Sequence, residues 1–225
     1  MLGDNPKRPP TIGDGSSLLV KNIFKTLQGE GPHAGMPAIF IRLGGCNLAC
    51  SFCDTEFENY QKHSLFEILK TIEKLSLNSQ SIRSVNLVVI TGGEPFRQPI
   101  NELCERLLSL GFAIQIETNG TLYREIPKEV DIICSPKVSN NKYLSVREDL
   151  LPKIMAFKFL ISSNIEFYES VPELGQSKYN IPVFVQAMDE YNVKINKKNQ
   201  QMAVELAINN GYRLSYQIHK NLGIE

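Results

Sequence analysis

No apolar run in this sequence approaches the ~20 residues that a helix needs to cross a bilayer. The longest, such as AIFIRL (38–43) and NLVVI (86–90), are strand-sized. An excess of charge is also lacking. The 24 Lys and Arg face 24 Asp and Glu, so net charge gives no reason to expect nucleic acid or a membrane surface as a partner. The chain opens without the apolar stretch of a signal peptide. Residues 1–17, MLGDNPKRPPTIGDGSS, are rich in Pro, Gly and Ser and read as a mobile leader before the fold. Cysteines are too few and too clustered for a disulfide framework: five in all, three of them within eight positions. Reduced thiols and a cytoplasmic location are expected instead. No internal repeat and no linker divides what remains, and 225 residues are enough for one domain with a sizeable core, expected over 18–225.

What the chain does contain is a succession of continuous apolar runs: 38–43, 86–90, 112–117, 130–134, 156–161 and 182–187. Continuous rather than alternating runs are the mark of strands buried on both faces of a parallel sheet. Helical patterns lie between several of them. Ser64 and Glu67 make a capping box ahead of Leu65, Ile68, Leu69, Ile72 and Leu75 on one face. Ile100, Leu103, Cys104 and Leu107 repeat the period before Gly111, and a third helix is expected over about 196–210, closed by Gly211. Strand–helix alternation predicts parallel α/β units. About six strands fall short of a closed eight-stranded barrel, and 118–129 leaves room for little helix. The expected architecture is an incomplete, open-sided TIM-like barrel.

Cys46, Cys50 and Cys53 follow the first of these runs in the loop GGCNLACSFCDTEF (44–57), spaced C-x3-C-x2-C. A structural zinc site normally takes four protein ligands, usually from two short Cys/His hairpins. No second cysteine pair exists, since Cys104 and Cys134 lie in apolar elements, although His33 or His63 could complete a zinc set. Three thiolates suit an iron–sulfur cubane with one iron left open, because the usual cubane takes four cysteines. The open iron is then a coordination site for a small molecule.

With Phe52 before the last cysteine, the loop resembles the C-x3-C-x-Φ-C motif (Φ aromatic) of the radical S-adenosylmethionine (SAM) superfamily. The resemblance implies a [4Fe-4S] cluster that chelates SAM. One-electron cleavage then gives methionine and a 5′-deoxyadenosyl radical, which abstracts hydrogen from substrate. TGGEP (91–95), by itself an ordinary strand-to-helix turn, resembles the superfamily's GGE segment. Gly92 and Gly93 are expected to allow close approach, and Glu94 to meet the SAM ammonium. Phe52 is assigned to the SAM site with them. Ser135, Pro136 and Lys137, and the run Gln186, Ala187, Met188 and Asp189, end later strands and match SAM-contacting segments of a narrower family.

That family is the 7-carboxy-7-deazaguanine synthases of queuosine and 7-deazapurine biosynthesis. The chain resembles it from FKTLQGEG (24–31) through TGGEP, ETNGT (117–121), SPK and FVQAMD to RLSYQIHKNLGIE at the end. The resemblance implies a homodimeric lyase that contracts 6-carboxy-5,6,7,8-tetrahydropterin to 7-carboxy-7-deazaguanine with loss of ammonia. It also implies magnesium as a further cofactor and an electron donor such as flavodoxin or ferredoxin. Thr55, in CDT, corresponds to the magnesium contact; one hydroxyl plus substrate oxygens suits a hard ion that keeps waters. Asp54 is the more obvious ligand by charge and is read as a loop brace.

The residues are compatible with a planar pterin. Leu27, Gln28 and Gly29 offer hydrogen bonds to its edge, and Glu30 can accept from ring or amino N–H groups. Arg42 is a planar fork suited to a carboxylate, or else a partner in a structural ion pair. Thr91 is assigned beside the substrate. His219 either lines the pocket or is a hydrogen-bonded structural residue. Two other readings remain: a radical SAM activase of a glycyl-radical enzyme, which would not need LQGEG, and a zinc-stabilised binding module.

Cluster content separates the zinc reading. Protein reconstituted anaerobically should carry about four irons per chain with acid-labile sulfide. Cys46→Ala, Cys50→Ala and Cys53→Ala should each remove the cluster, and Cys104→Ala should leave it; full iron content in Cys50→Ala would defeat the assignment.

Overall fold

The structure, a computed structural model, describes residues 5–224. Its strands are β1 (Ser17–Leu27), β2 (Pro37–Leu43), β3 (Gln61–Ser64), β4 (Leu87–Gly92), β5 (Ala113–Thr118), β6 (Asp131–Cys134), β7 (Val138–Ser139), β8 (Lys142–Tyr143), β9 (Ile154–Ile161), β10 (Val183–Ala187) and β11 (Arg213–Ser215). The helices are α1 (Leu65–Ser76), α2 (Asn101–Ser109), α3 (Gln176–Tyr179), α4 (Val193–Asn210) and α5 (Ile218–Leu222). Among the described residues one nine-stranded sheet runs β11-β10-β9-β6-β5-β4-β2-β1-β3, and β7 and β8 form a separate hairpin. Every pairing from β2 to β11 is parallel, whereas β1 pairs antiparallel with both β2 and β3. β3 and β11 end the sheet without pairing to each other, so the barrel stays open.

All six expected strands lie in the parallel part, and β11 adds a short seventh. β1 was not foreseen, because SLLVKNIFKTL mixes polar and apolar residues and its burial is correspondingly partial. The Ser64–Glu67 capping box forms as expected: the Glu67 N–H donates to Ser64 Oγ and the Ser64 N–H donates back to Glu67 Oε2. α4 starts earlier than expected because the Asn192 side chain caps it, accepting from the Lys194 and Ile195 N–H groups.

The parallel strands alternate their side chains between two very different faces. Ile39, Ile41, Leu43, Val88 and Ile90 pack outward against Ile68, Ile72, Leu103 and Leu107 of the helical layer. On the concave face, small apolar clusters around Val89 and around Phe184 share space with charged and amide side chains. That polar inner face is where a ligand site can form.

The leader is a correction. Residues 1–4 lie outside the described residues, but the part of 1–17 that follows is bonded to the cysteine loop instead of moving freely. The Arg8 N–H donates to the Cys46 carbonyl at 2.7 Å, and the Asn5 side-chain amide donates to the Thr55 carbonyl at 2.8 Å. The Thr11 N–H donates to the Arg97 carbonyl. Arg97, only 2% exposed, donates to the Pro9 carbonyl at 2.9 Å and the Gly44 carbonyl at 2.7 Å. Backbone and side-chain hydrogen bonds together hold this segment, and composition records none of it.

Arg97→Met should strip both carbonyls of a buried donor. We expect a loss of about 2–4 kcal/mol in urea unfolding, with faster proteolysis within residues 5–16. An unchanged urea midpoint would mean that the segment is held without Arg97.

Candidate active site

Backbone packing at the end of β4 positions the cysteine loop. A Cβ on Gly93 would lie 1.9 Å from the Gly45 carbonyl oxygen, a distance no side chain tolerates. At this closeness the Gly93 N–H donates to the Leu43 carbonyl and the Glu94 N–H to the Gly45 carbonyl. The glycines therefore admit the neighbouring loop of the same chain. Phe52 holds the loop's far side, its ring edge-on to that of Tyr168 with centroids 5.2 Å apart. ETNGT ties down the third side. Asn119 donates to Asn47 Oδ1 at 2.9 Å, Asn47 donates to Thr121 Oγ1 at 2.7 Å, and Thr121 returns a hydrogen bond to Asn119.

The loop borders a cavity of about 280 Å³ on the sheet's concave face. Cys46, Cys50, Phe52, Cys53 and Thr55 line it from the loop, and Thr91, Gly92 and Gly93 from the end of β4. Ser135, Lys137, Gln186, Ala187, Met188 and Asp189 line it from beyond β6 and β10. Leu27, Gln28, Gly29, Glu30, Arg42 and His219 also line it, as do Glu117, Lys158 and Gln217. Residues spread from 27 to 219 thus share one space.

Two expected residues do not line it. Pro136 is buried beside the strand end. Glu94, expected to meet a SAM ammonium, is fully buried and turned into the protein body. Its carboxylate accepts from the Phe96 N–H at 3.0 Å, Thr118 Oγ1 at 2.7 Å and the Asn119 N–H at 2.8 Å. Burial outweighs these hydrogen bonds and pushes its pKa up to about 7. Through these three hydrogen bonds Glu94 braces the turn that carries Gly92 and Gly93.

The thiols are chemically suited to a cluster. Burial raises the pKa of all three, that of Cys46 to about 12, so thiolates accumulate there only against positive charge, which iron supplies. The Leu48 N–H points at Cys46 Sγ from 3.4 Å, a donor for a sulfur carrying negative charge. Among the described residues no three His, Cys, Asp or Glu side chains converge on a single-ion site such as tetrahedral zinc requires. Beside the loop, Thr55 Oγ1 lies 3.5 Å from Arg42 Nη1 and 3.3 Å from Asp54 Oδ1. Asp54 also pairs with Lys220 at 3.1 Å, consistent with its reading as a brace.

Deeper in the cavity, the turn after β1 folds beneath the sheet. A Cβ on Gly29 would strike the His219 ring at 2.1 Å, so the glycine and the α5 imidazole pack directly together. Glu30 meets Lys158 of β9 and accepts from Gln217 at 2.7 Å. Burial acts to raise the Glu30 pKa, but the Lys158 ammonium and these hydrogen bonds outweigh it and bring it to about 2. Lys158 also pairs with Glu117 of β5 at 2.8 Å. Neither Lys158 nor Glu117 was foreseen. The signal was present in AFKFLI: a lysine in the middle of a run otherwise buried on both faces needs a buried anionic partner.

The comparisons agree with this geometry. Residues 40–139 match the model of the Radical SAM superfamily. The 7-carboxy-7-deazaguanine synthase of Rickettsia prowazekii is 59% identical over 225 residues, covering 100% of this chain and 96% of that protein. The enzyme of the same name from Rhodospirillum rubrum is 39% identical over 244 residues, covering 100% of both chains. The crystal structure of QueE from Escherichia coli superimposes with a TM-score of 0.73 at 27% identity, covering 90% of this chain and 95% of that one. The cysteine loop, the glycine turn and the open parallel barrel are those of radical SAM proteins, and the full-length likeness is narrower still: this chain belongs to the 7-carboxy-7-deazaguanine synthase family.

Proposed function

We infer that the chain converts 6-carboxy-5,6,7,8-tetrahydropterin to 7-carboxy-7-deazaguanine with release of ammonia. The observation that carries this reading is that one cavity is lined both by a three-cysteine loop and by the polar residues Gln28, Glu30, Arg42 and His219. Substrate and product differ only by ammonia, so the reaction needs no net oxidant and SAM can be regenerated. When bound, the cluster and SAM supply a one-electron reduction that makes a 5′-deoxyadenosyl radical.

The chain's own groups position and shield. Cys46, Cys50 and Cys53 hold the cluster and leave one iron for SAM. Gly92, Gly93, Ser135, Lys137 and the 186–189 segment surround SAM, with Phe52 fixing the loop. Gln28 and the Leu27–Gly29 backbone face the pterin edge, and Glu30, ionised, accepts its N–H groups. Arg42 takes the substrate carboxylate, and Thr91 and His219 flank the ring. Thr55 would offer its hydroxyl to a magnesium ion, a hard cation that favours oxygen ligands. Proximity of substrate to SAM in one water-poor space is the main catalytic contribution of such a site.

We further propose that the enzyme works as a homodimer in the cytoplasm and receives its electron from a flavodoxin or ferredoxin. No helix among the described residues is long and apolar enough to cross a membrane.

With reductant, SAM, magnesium and the carboxy-tetrahydropterin, product should exceed free 5′-deoxyadenosine by many turnovers. Arg42→Ala should raise the substrate KM while iron content stays whole. Stoichiometric deoxyadenosine with no deazapurine, and a radical on an added partner protein, would support a glycyl-radical activase instead. Thr55→Ala should slow ring contraction about 10–100-fold more than substrate-free SAM cleavage. Equal slowing of both would assign Thr55 to the cluster loop alone.

A further inference from the structure

Lys158 is a buried cation that none of the roles above uses. Its side chain is 5% exposed, and it sits at mid-strand on β9, whose neighbours are apolar. Its ammonium joins Glu30, on the turn after β1, to Glu117, on β5. The chain of contacts then closes on itself. Glu117 Oε1 accepts from Gln28 Nε2 at 3.0 Å, and Gln28 Oε1 accepts from the Glu30 N–H at 3.0 Å. Gln115 and Gln217 donate to the two carboxylates from outside this ring, at 3.0 Å and 2.7 Å. Two strands of the barrel therefore grip the one turn whose side chains were assigned to the substrate edge.

The charges around Lys158 make the grip one-sided. Glu30 and Glu117 face it directly. Lys137, beyond β6, is a like charge that opposes it, and His219 of α5 lies on the far side of Glu30. Arg42 lines the same cavity from β2. Lys158 bonds Glu30 directly.

We propose that Lys158 is a positioning residue for substrate recognition. It holds the Gln28–Glu30 turn in place and keeps Glu30 an ionised acceptor, so that the site selects a ring edge made of N–H donors. An edge presenting acceptors meets a carboxylate with no proton to give. This inference rests on the pterin reading for its substrate, but the clasp itself is a property of the free protein.

Two measurements test it separately. The first needs no substrate. In the holoenzyme, hydrogen exchange of the backbone amides of residues 28–31 should speed up at least tenfold in Lys158→Gln, with Lys158→Arg between the two. The second is the pH profile of the carboxy-tetrahydropterin KM, taken as variant over wild type to cancel titration of the substrate. Losing the ammonium raises the proton affinity of buried Glu30, so the ratio should climb from about 10-fold toward 100-fold as pH falls from about 8 to 6. Lys158→Arg should recover most of the loss, while kcat and substrate-free SAM cleavage change little.

Because Lys158→Gln leaves two buried carboxylates without a cation, Lys158→Met/Glu117→Gln serves where the single variant does not fold. It should show the same pH-dependent ratio. Unchanged exchange at 28–31 would overturn the clasp, and a flat KM ratio would overturn its part in recognition. A wild-type enzyme that makes no deazapurine would sink the functional reading, and the exchange experiment would still decide the clasp.

Discussion

The cavity exists because two stretches of backbone touch. Gly93, just past β4, lies against Gly45 at a separation that excludes any Cβ, and the Glu94 N–H donates to the Gly45 carbonyl at 3.1 Å. This contact sets how far the cysteine loop stands from the sheet, and therefore where the thiols enter the cavity. Glu94 secures it from behind by accepting from two N–H groups and the Thr118 hydroxyl. A carboxylate buried this deeply without donors would cost several kcal/mol, so the network is a condition of the turn's existence.

A second constraint acts from below. The side chain of Lys158 on the concave face is 5% exposed, so a charge buried there needs partners. Glu30 and Glu117 share one lysine, and the amides of Gln28, Gln115 and Gln217 take up remaining lone pairs. The result is a polar floor to the cavity whose donors and acceptors are held by one another. Above it, the leader crosses the cysteine loop at Cys46 and Thr55, and Lys220 joins Asp54 to Asp189 at the rim. The cysteine loop, the segment after β10 and the turn after β1 are linked through hydrogen bonds instead of standing as separate modules.

Much of this was legible in the residues. Strands covered on both faces are apolar at most positions, so runs such as AIFIRL and FAIQIE marked the parallel sheet, while their few polar residues, Arg42, Gln115 and Glu117, belong to the inner face. Capping chemistry is local, which is why Ser64–Glu67 and the glycine after α4 marked helix ends. The cysteine spacing, with Phe52, pointed to an open-site cluster because ligand geometry limits the number of residues between thiols. β1 was not legible: partly buried strands lack a continuous apolar signature. Nor was the leader's attachment, in which backbone groups, the Asn5 amide and the Arg97 guanidinium meet partners distant along the chain.

The sequence by itself determined the local chemistry: the parallel strands, the helix caps, the three-thiol loop and the likeness to a radical SAM synthase. These depend on side-chain type and short spacing, which one chain segment carries alone. Only the tertiary structure decided orientation and partnership. It turned Glu94 inward because the turn needed an acceptor, brought Gly29 against His219 across the whole chain, and set Lys158 between two carboxylates from distant segments. Such pairings depend on which residues converge after folding, and spacing along the chain has no access to that.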